Sequence, residues 1–360
     1  MAPAPAWSDL HIELLTLVFE KFEDDFEYLS SCASVCVSWR AAIRKLSLRL
    51  LPKLPFQLLL IKDNGSGVSL IDIQNLKTRE IRINPTLQRR WIRSCSHGWL
   101  LTIGRAWPHE INFLNPITGV RIRLPPAGNQ FNPSEGGLTV VTSGNPSDSN
   151  CMVLGAHSWS QELVFCKPGD RTWTRINHSS SKVFLLPAMF YKGEFYIRYN
   201  YFIGRIRGDL NNSGTLFMEE LIRMPHFSPV EGLLLHKSGY TCSYLVELMD
   251  DLLIVLKHGY FNPQDKRRRF EVYRLKWEGG KEWVPVKSLG NNGIYLDCPS
   301  SISVSVGRDN SRECRANCIY FVERSCQCIN RGVYDMEMQI TQWSSVRKVT
   351  GLAASSYKDN

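Results

Sequence analysis

The sequence has no apolar run of membrane-spanning length and no recognisable secretory leader. Its richest apolar stretch, Leu46 to Ile61, is interrupted by two prolines and by basic residues, whereas a membrane-spanning helix needs about 20 apolar residues. Residues 1–7 lack the basic start and the apolar centre of a signal peptide. We therefore expect a soluble protein of the nucleus and/or cytoplasm, with no membrane partner.

Recognised patterns for catalysis and metal binding are also missing. The eight histidines do not fall at H-x-x-x-H or H-E-x-x-H spacing, and no glycine-rich phosphate loop is present. The eleven cysteines include one cluster, formed by Cys314, Cys318, Cys326 and Cys328, but a strong zinc pattern has paired C-x-x-C knuckles. We predict reduced thiols, no metal and no cofactor, with a four-thiol zinc site as the open alternative.

Sustained helical periodicity is confined to the first fifty residues. The apolar residues of the first predicted helix occupy two sides: Leu10, Leu14 and Val18 on one, and Ile12, Leu15, Phe19 and Phe22 on the other. Two short neighbouring helices cannot cover both sides. One side is therefore predicted to bind another protein or, alternatively, to pack on the rest of the chain.

Beyond Leu58 the pattern changes to short strands that are separated by polar turns. Two of these turns share an Asn-x-x-Thr pattern, at Asn75 and Asn115, and they start 40 residues apart. This spacing is close to that of propeller blades, which repeat about every 40 to 50 residues. The strand pairs predict a β-propeller of about six or seven blades, and an irregular pair of β-sandwiches is the structural alternative.

These patterns predict an α+β multidomain protein, in which a three-helix unit precedes an all-β domain. The predicted boundaries are residues 8–50 for the helices, 51–57 for a linker, 58–346 for the propeller-like domain and 347–360 for a polar tail. The third helix is expected to end before Pro52, because proline cannot continue a helix.

The helical unit resembles an F-box. The family pattern is Leu-Pro, then Glu-Leu-Leu, then Ile-Phe, and finally Val-Cys-x-x-Trp-Arg. The corresponding residues here are Leu10-His11, Glu13-Leu14-Leu15, Val18-Phe19 and Val35 to Arg40. His11 is the one departure that stands out, since the family usually has proline at that place.

The remainder of the chain resembles the C-terminal domain of a large plant F-box family, of the kelch-like or KIB-like kind, whose domain is propeller-like. The matching stretches include His97 to Leu101, Leu114 to Pro116, Tyr191 to Gly193, Val286 to Gly290 and Asn317 to Phe321. They follow one another in the order that the family has.

The resemblance implies a substrate-recognition subunit of a Skp-cullin-F-box ubiquitin ligase. In such a ligase the F-box binds a Skp-type adaptor, which joins cullin and RING subunits, and the β domain recruits a target protein. The implied adaptor contacts are Leu10, Ile12, Leu14, Leu15, Val18, Val35 and Cys36, and the implied F-box core residues are Trp39 and Ile43. Because other subunits transfer the ubiquitin, the chain is predicted not to be an enzyme.

Aromatic residues in the β domain are candidates for contacts with the unidentified target, because aromatic side chains anchor many interfaces. The candidates are Trp107, Trp159, Tyr199, Tyr201 and Phe202. The sequence does not identify the target itself.

One compact basic run, formed by Lys266, Arg267, Arg268 and Arg269, is predicted to act in nuclear import, with phosphate contact or a solvated loop as alternatives. The formal net charge of +9 is otherwise spread along the chain, so nucleic acid is not an expected partner. A propeller that binds nucleic acid or chromatin outside a ligase is the alternative function.

Overall fold

The computed structural model describes most of the chain between residues 7 and 346. The described ranges are 7–22, 26–50, 57–61, 68–72, 78–81, 90–97, 99–107, 109–115, 119–126, 138–157, 162–177, 185–199, 201–208, 216–225, 240–258, 268–296, 301–305, 315–324 and 329–346.

Three helices follow a short 3-10 turn at Trp7–Asp9. Their bounds are α1 Ile12–Glu20, α2 Phe26–Ala33 and α3 Val37–Leu50. Helix α1 starts after His11, whose carbonyl accepts the first helical hydrogen bond, from the Leu15 amide at 3.1 Å. These helices occupy the segment in which the sequence predicts them.

The three helices share one hydrophobic core, and α1 and α2 both pack on α3. Its buried residues are Leu15, Phe19, Leu29, Cys32, Ala33, Ala42, Ile43 and Leu46. Trp39 packs against this core, with its ring edge-on to Phe19 at a centroid distance of 5.2 Å. Its indole N–H donates to the Trp7 carbonyl at 3.2 Å, which ties the 3-10 turn to α3.

The rest of the described chain forms 24 strands in six sheets. The first sheet contains β1 Gln57–Ile61, β2 Val68–Asp72 and β3 Thr78–Ile81. The second contains β4 Arg90–Ser96, β5 Trp99–Gly104, β6 Ile111–Leu114 and β7 Arg121–Leu124. The third contains β8 Leu138–Thr142, β9 Val153–His157, β10 Glu162–Cys166 and β11 Thr174–Arg175.

The last three sheets follow in chain order. The fourth contains β12 Leu185–Tyr191, β13 Glu194–Tyr199, β14 Phe202–Arg207 and β15 Phe217–Arg223. The fifth contains β16 Tyr240–Leu248, β17 Asp251–His258, β18 Arg269–Lys276 and β19 Glu282–Pro285. The sixth contains β20 Asn292–Leu296, β21 Ser301–Ser305, β22 Cys318–Arg324, β23 Ile329–Asp335 and β24 Ile340–Val346.

The second to fifth sheets are antiparallel meanders whose first strands lie side by side. Strand β4 contacts β8, β8 contacts β12, and β12 contacts β16. Strand β16 in turn contacts β21, which is an edge strand of the sixth sheet. Sheets that meet in this way through their first strands form a β-propeller, as the sequence predicts.

The predicted count of six or seven blades is not confirmed. Five sheets have the four or five strands of a propeller blade, whereas the first sheet has three strands in the described ranges. The sixth sheet departs from a simple meander, because β20 lies between β21 and β22 and runs parallel to β22. A sequence whose strand pairs repeat only weakly does not reveal a change of strand order of this kind.

Each hydrophobic core of the propeller lies between two successive sheets. In the fourth sheet, Phe195 and Ile197 pack on the third sheet, while Tyr196 packs on the fifth. In the fifth sheet, Leu252 and Ile254 face the fourth sheet in the same alternating way. Because successive strand residues point to opposite faces, a strand between two neighbours is apolar on both. Strand β5 is accordingly buried along its whole length.

Tryptophans near the fourth strands also connect neighbouring sheets. The indole N–H of Trp173 donates to the Pro125 carbonyl of the second sheet at 2.9 Å. The indole N–H of Trp283 donates to the Arg223 carbonyl of the fourth sheet at 2.7 Å. Each of these bonds joins a sheet to the end of the preceding one, so the tryptophans fix the angle between blades.

The predicted polar tail, residues 347–360, and nearly all of the predicted linker lie outside the described residues, so these two boundaries stay predictions. Within the described part of the chain, no helix has the length and apolar character needed to cross a membrane.

Candidate protein-binding surfaces

Helix α1 is apolar on two sides, one of which is buried in the helical core. Leu15 and Phe19 point into that core, and Leu15 is 0% exposed. The neighbouring Thr16 is also buried, and its hydroxyl donates to the Ile12 carbonyl at 2.7 Å. The helix thus satisfies this polar group internally, and its buried side requires nothing from a partner.

The other side of α1 carries large apolar side chains that are exposed. Leu14 is 52% and Leu17 is 57% exposed, and Val18 is exposed beside them. Because residues three and four apart share one face of a helix, these side chains form a continuous stripe. Burying one Leu or Val side chain contributes about 1.5–3 kcal/mol, so covering the stripe provides a substantial driving force for binding.

Two exposed aromatic residues follow this stripe in the sequence, although the spacing placed Phe22 with Leu15 and Phe19. The rings of Phe22 and Tyr28 lie 4.6 Å apart and both residues are exposed. We call Leu14, Leu17, Val18, Phe22 and Tyr28 the helical apolar face. Contiguous apolar surface of this kind marks a protein-binding site more often than scattered apolar residues do.

Two further apolar side chains are exposed where α2 is connected to α3: Val35 in the turn and Val37 at the start of α3. Cys36 lies between them and caps α3, since its sulfur accepts a hydrogen bond from the Trp39 amide at 3.4 Å. The Arg40 side chain closes the same turn by donating from Nε to the Ala33 carbonyl at 3.0 Å. The turn therefore presents its valines on a fixed backbone.

The structure separates the predicted adaptor contacts into three groups. Leu14, Val18 and Val35 are exposed, while Leu10, Ile12 and Cys36 are half-buried. Leu15 is the exception, because it is fully buried in the helical core. This placement corrects the expectation that Leu15 contacts an adaptor: its position on the helix turns it toward α3.

The two residues predicted for the core of the helical unit lie there. Ile43 is fully buried, and Trp39 packs against the same core.

The predicted target contacts are similarly divided. Trp107 is 66% exposed, Tyr201 is exposed and Phe202 is half-buried. Tyr199, by contrast, is 2% exposed because its ring packs between the third and fourth sheets, which corrects its assignment as a target contact. Trp159 lies outside the described residues, between β9 and β10 in the sequence.

The predicted basic run is described only at its end. Arg268 is half-buried, with its guanidinium 5.4 Å from the centre of the Trp343 ring, and its carbonyl accepts a hydrogen bond from the Thr341 hydroxyl at 2.9 Å. Arg269 begins β18 and pairs with Glu271 at 3.0 Å. Lys266 and Arg267 lie outside the described residues, and the role of the run in nuclear import stays a prediction.

Only one member of the cysteine cluster is described. Cys318 begins β22 and is buried, while Cys314, Cys326 and Cys328 lie outside the described residues. Elsewhere in the described ranges, no three His, Cys, Asp or Glu side chains lie close enough together to hold a metal ion.

Comparison with known proteins gives a family. A model of the KIB1-4 beta-propeller family matches residues 69–336, which is most of the chain and includes the second to fifth sheets. The chain belongs to this family. The match begins after the three helices, so the KIB1-4 assignment concerns the propeller.

Relatives of this KIB1-4 propeller include plant F-box proteins. F-box protein At2g26160 of Arabidopsis thaliana is 25% identical over 89% of this chain and 96% of its own length. F-box protein At2g05970 of the same plant is 23% identical over 81% of this chain and 79% of its own. Among solved structures, TolB from Acinetobacter baumannii covers 87% of this chain and 70% of its own, at 11% identity and a TM-score of 0.41. The family match and the two Arabidopsis relatives together indicate a plant F-box protein with a propeller domain.

Some surface residues of this KIB1-4 family member escape the sequence analysis. Leu17 is the clearest case, although it lies three residues after Leu14 and the helical spacing places both on one face. Tyr28, which belongs to α2, joins the same face through its contact with Phe22. The exposure of Leu17 could have been predicted from helical spacing, whereas the position of Tyr28 depends on tertiary packing.

Proposed function

We propose that this chain is the substrate-recognition subunit of a Skp-cullin-F-box ubiquitin ligase. The helical unit acts as the F-box and binds a Skp-type adaptor, and the propeller holds the target protein. The observation that carries this proposal is the helical apolar face, which leaves Leu14 and Leu17 more than half exposed on a helix whose other side is already buried.

An intramolecular role for this face is less well supported than a partner. Among the described residues, the buried core of the helical unit consists of residues of α1, α2 and α3, and the four propeller cores consist of residues of the β domain. The two regions thus form separate cores. Relatives that match the chain over most of their length are F-box proteins, which favours a Skp-type adaptor as the partner.

The proposed role is non-catalytic. In a ligase of this class the adaptor joins a cullin and a RING subunit, and those subunits carry out ubiquitin transfer. This chain supplies two binding surfaces, one for the adaptor and one for the target, so its function depends on surface complementarity rather than on a nucleophile or a general base.

The adaptor surface is tested by placing a charge on the helical apolar face. Leu14→Asp and Leu17→Asp would each bury a carboxylate without a counter-charge, so we expect a loss of about 2 kcal/mol or more, roughly thirtyfold in affinity. The measurement is binding of the full chain to a purified Skp-type adaptor. Met338→Asp is the matched control, because Met338 is an exposed apolar residue in the turn after β23.

The outcomes distinguish the proposal from its alternatives. Loss of binding in both Leu variants, with Met338→Asp unaffected, supports it. Full binding by folded Leu14→Asp and Leu17→Asp proteins would contradict it. Since an apolar contact is little affected by salt while phosphate contacts are strongly weakened by it, steeply salt-dependent binding to DNA or RNA, together with no adaptor binding, would favour a nucleic-acid-binding propeller.

A further inference from the structure

A group of aromatic and basic side chains lies at one end of the second sheet and has no part in the helical surface. The Trp91 ring has the guanidinium of Arg93 at 5.3 Å from its centre and that of Arg105 at 5.8 Å. The rings of Trp91 and His109 are 6.0 Å apart, and Trp107 stacks on His109 at 6.5 Å. Trp107 is the most exposed member.

Backbone contacts fix the position of this group. Nδ1 of His109 lies 2.9 Å from the Gly104 carbonyl, and because a carbonyl only accepts hydrogen bonds, Nδ1 is the protonated nitrogen. Trp91 lies in β4 directly opposite Ile103 of β5. The loop between β5 and β6, which carries Arg105 and Trp107, is therefore held against the first strand of the sheet.

The equivalent end of the fourth and fifth sheets repeats this chemistry. In the fourth sheet, Tyr201 is exposed between β13 and β14, and the Arg223 guanidinium lies 5.4 Å from the centre of the Phe202 ring. Next to the fifth sheet, Arg268 lies over Trp343 just before β18. All three groups adjoin the connection from the second to the third strand of a sheet.

In a propeller, the blades are related by rotation about the central channel, so equivalent connections lie on the same face. We call Arg105, Trp107, Tyr201, Arg223 and Arg268 the Arg–aromatic face. The turns between the first and second strands lie on the opposite face, and they carry both basic and acidic side chains. There Lys192 lies near the carboxylates of Asp250 and Asp251, and the Tyr191 hydroxyl donates to the Asp250 carbonyl.

Two arginines of the Arg–aromatic face remain available to a ligand. Among the described residues, Arg105 and Arg223 are exposed, contact ring faces and form no ion pair with a carboxylate. A guanidinium that stacks on a ring with its flat side keeps its N–H edge free to bind a carboxylate in bidentate fashion. The ring contact also restricts the side chain before binding, which lowers the entropic cost of ordering it.

We propose that the Arg–aromatic face binds an acidic segment of the target protein that also carries aromatic or large apolar side chains. This inference rests on the proposed function and names the chemical class of its target. The exposed arginines would bind the carboxylates, and Trp107 and Tyr201 would contact the apolar side chains, as aromatic anchors do at interface centres.

The acids on this face favour a peptide over a nucleic acid. Glu110 lies in the same connection as Trp107 and forms an ion pair with Arg90 at 3.5 Å. Glu271 forms an ion pair with Arg269 at 3.0 Å. A continuous phosphate backbone would be repelled by these carboxylates, whereas a peptide with spaced acidic side chains avoids them.

The test uses the full chain and defined probes. A fluorescent peptide of about twelve residues that alternates Glu and Tyr is compared with a Lys and Tyr peptide and with single-stranded oligo-dT of similar length. We expect binding of the Glu and Tyr peptide, and a loss of about tenfold or more in affinity on Trp107→Ala or Arg105→Glu.

Matched controls come from the opposite face. Trp277→Ala removes a partly exposed indole just after β18, and Arg171→Glu reverses an exposed charge in the turn between β10 and β11. Both are expected to leave peptide affinity within about twofold of the unaltered chain.

Three results would overturn the inference: no binding of the Glu and Tyr peptide, equal losses in the control variants, or tighter binding of oligo-dT that is lost in Arg105→Glu. Adaptor binding is measured on the same proteins and should be unchanged. If the adaptor does not bind but the peptide does, the ligase proposal fails while the assignment of an acid-binding face stands.

Discussion

The helical unit and the propeller bury their apolar residues in different ways. In the propeller, strand β5 is buried along its whole length, and its residues Trp99, Leu101 and Ile103 share a core with the third sheet. Helix α1 buries only the side that faces α3 and exposes Leu14, Leu17 and Val18 on the other. A central propeller strand therefore buries its apolar side chains, whereas the helical unit leaves part of its apolar surface exposed and able to bind a partner.

This difference bears on the two surfaces that we propose for binding other proteins. On the helical unit the proposed contacts lie on one helix, so a partner would cover an apolar stripe there. In the described ranges, the exposed aromatics Trp107, Tyr201 and Trp277 of the propeller lie in connections between strands, and Phe217 is the first residue of β15. Connections of this kind vary without disturbing the core, which suits a receptor for a specific target.

The sharpest test of the comparison is a pair of leucines on one helix. Leu15→Ala would remove a fully buried side chain and should cost about 2–5 kcal/mol, enough to unfold most of so small a unit. Leu17→Ala should change stability by about 0.5 kcal/mol or less, because the side chain is exposed. Hydrogen exchange of peptides from α1 and α3 would measure both, with peptides from β17 as the internal standard.

Equal protection of the α1 amides from hydrogen exchange in the two variants would contradict the conclusion that Leu15 is buried and Leu17 exposed. The same experiment also reports on the independence of the two regions. If Leu15→Ala accelerated exchange in β17 as strongly as in α1, the helices and the propeller would unfold together.

A pair of glycines tests packing inside the propeller. A Cβ added at Gly332 of β23 would overlap the Phe321 ring, which packs against the rings of Phe270 and Trp343 at centroid distances of 4.8 and 5.2 Å. We expect Gly332→Ala to cost about 1–3 kcal/mol through overpacking. At Gly104 of β5 the nearest atom would be 3.5 Å away, so Gly104→Ala should be neutral or slightly stabilising.

The readout is the thermal unfolding midpoint of the full chain, with adaptor affinity as the control. Gly332→Ala should lower the midpoint and leave the affinity unchanged. Similar midpoints for the two glycine variants would show that the Phe321 ring moves aside easily.

The smallest expected effect concerns His11, which precedes α1. Its φ of −58° is the value that a proline ring imposes, so His11→Pro should stabilise the helical unit by about 0.4–1 kcal/mol by restricting the unfolded chain. The exposed His11–Glu13 contact at 3.7 Å contributes little. Hydrogen exchange in α1 would measure the gain, and His11→Ala provides the comparison. A destabilised His11→Pro variant would mean that Leu10 cannot adopt the extended conformation that proline requires before it.

The sequence alone indicated which part of the chain is helical and which part forms strands, because a spacing of three to four residues and a spacing of two are local properties. The same periodicity indicated that α1 is apolar on two sides. It did not decide which residues of those sides are buried: Leu15 turns toward α3 and Tyr199 toward the third sheet, and these contacts exist only after distant segments have packed.

The Arg–aromatic face is likewise a product of the tertiary structure. Arg105, Arg223 and Arg268 are far apart in the sequence, and the residues that follow each of them do not form a shared motif. They share a face because repeated meanders place equivalent connections at the same end of each blade. Sequence periodicity predicts the repeated unit, while the stacking of these units around a common axis determines which side chains can act on one partner.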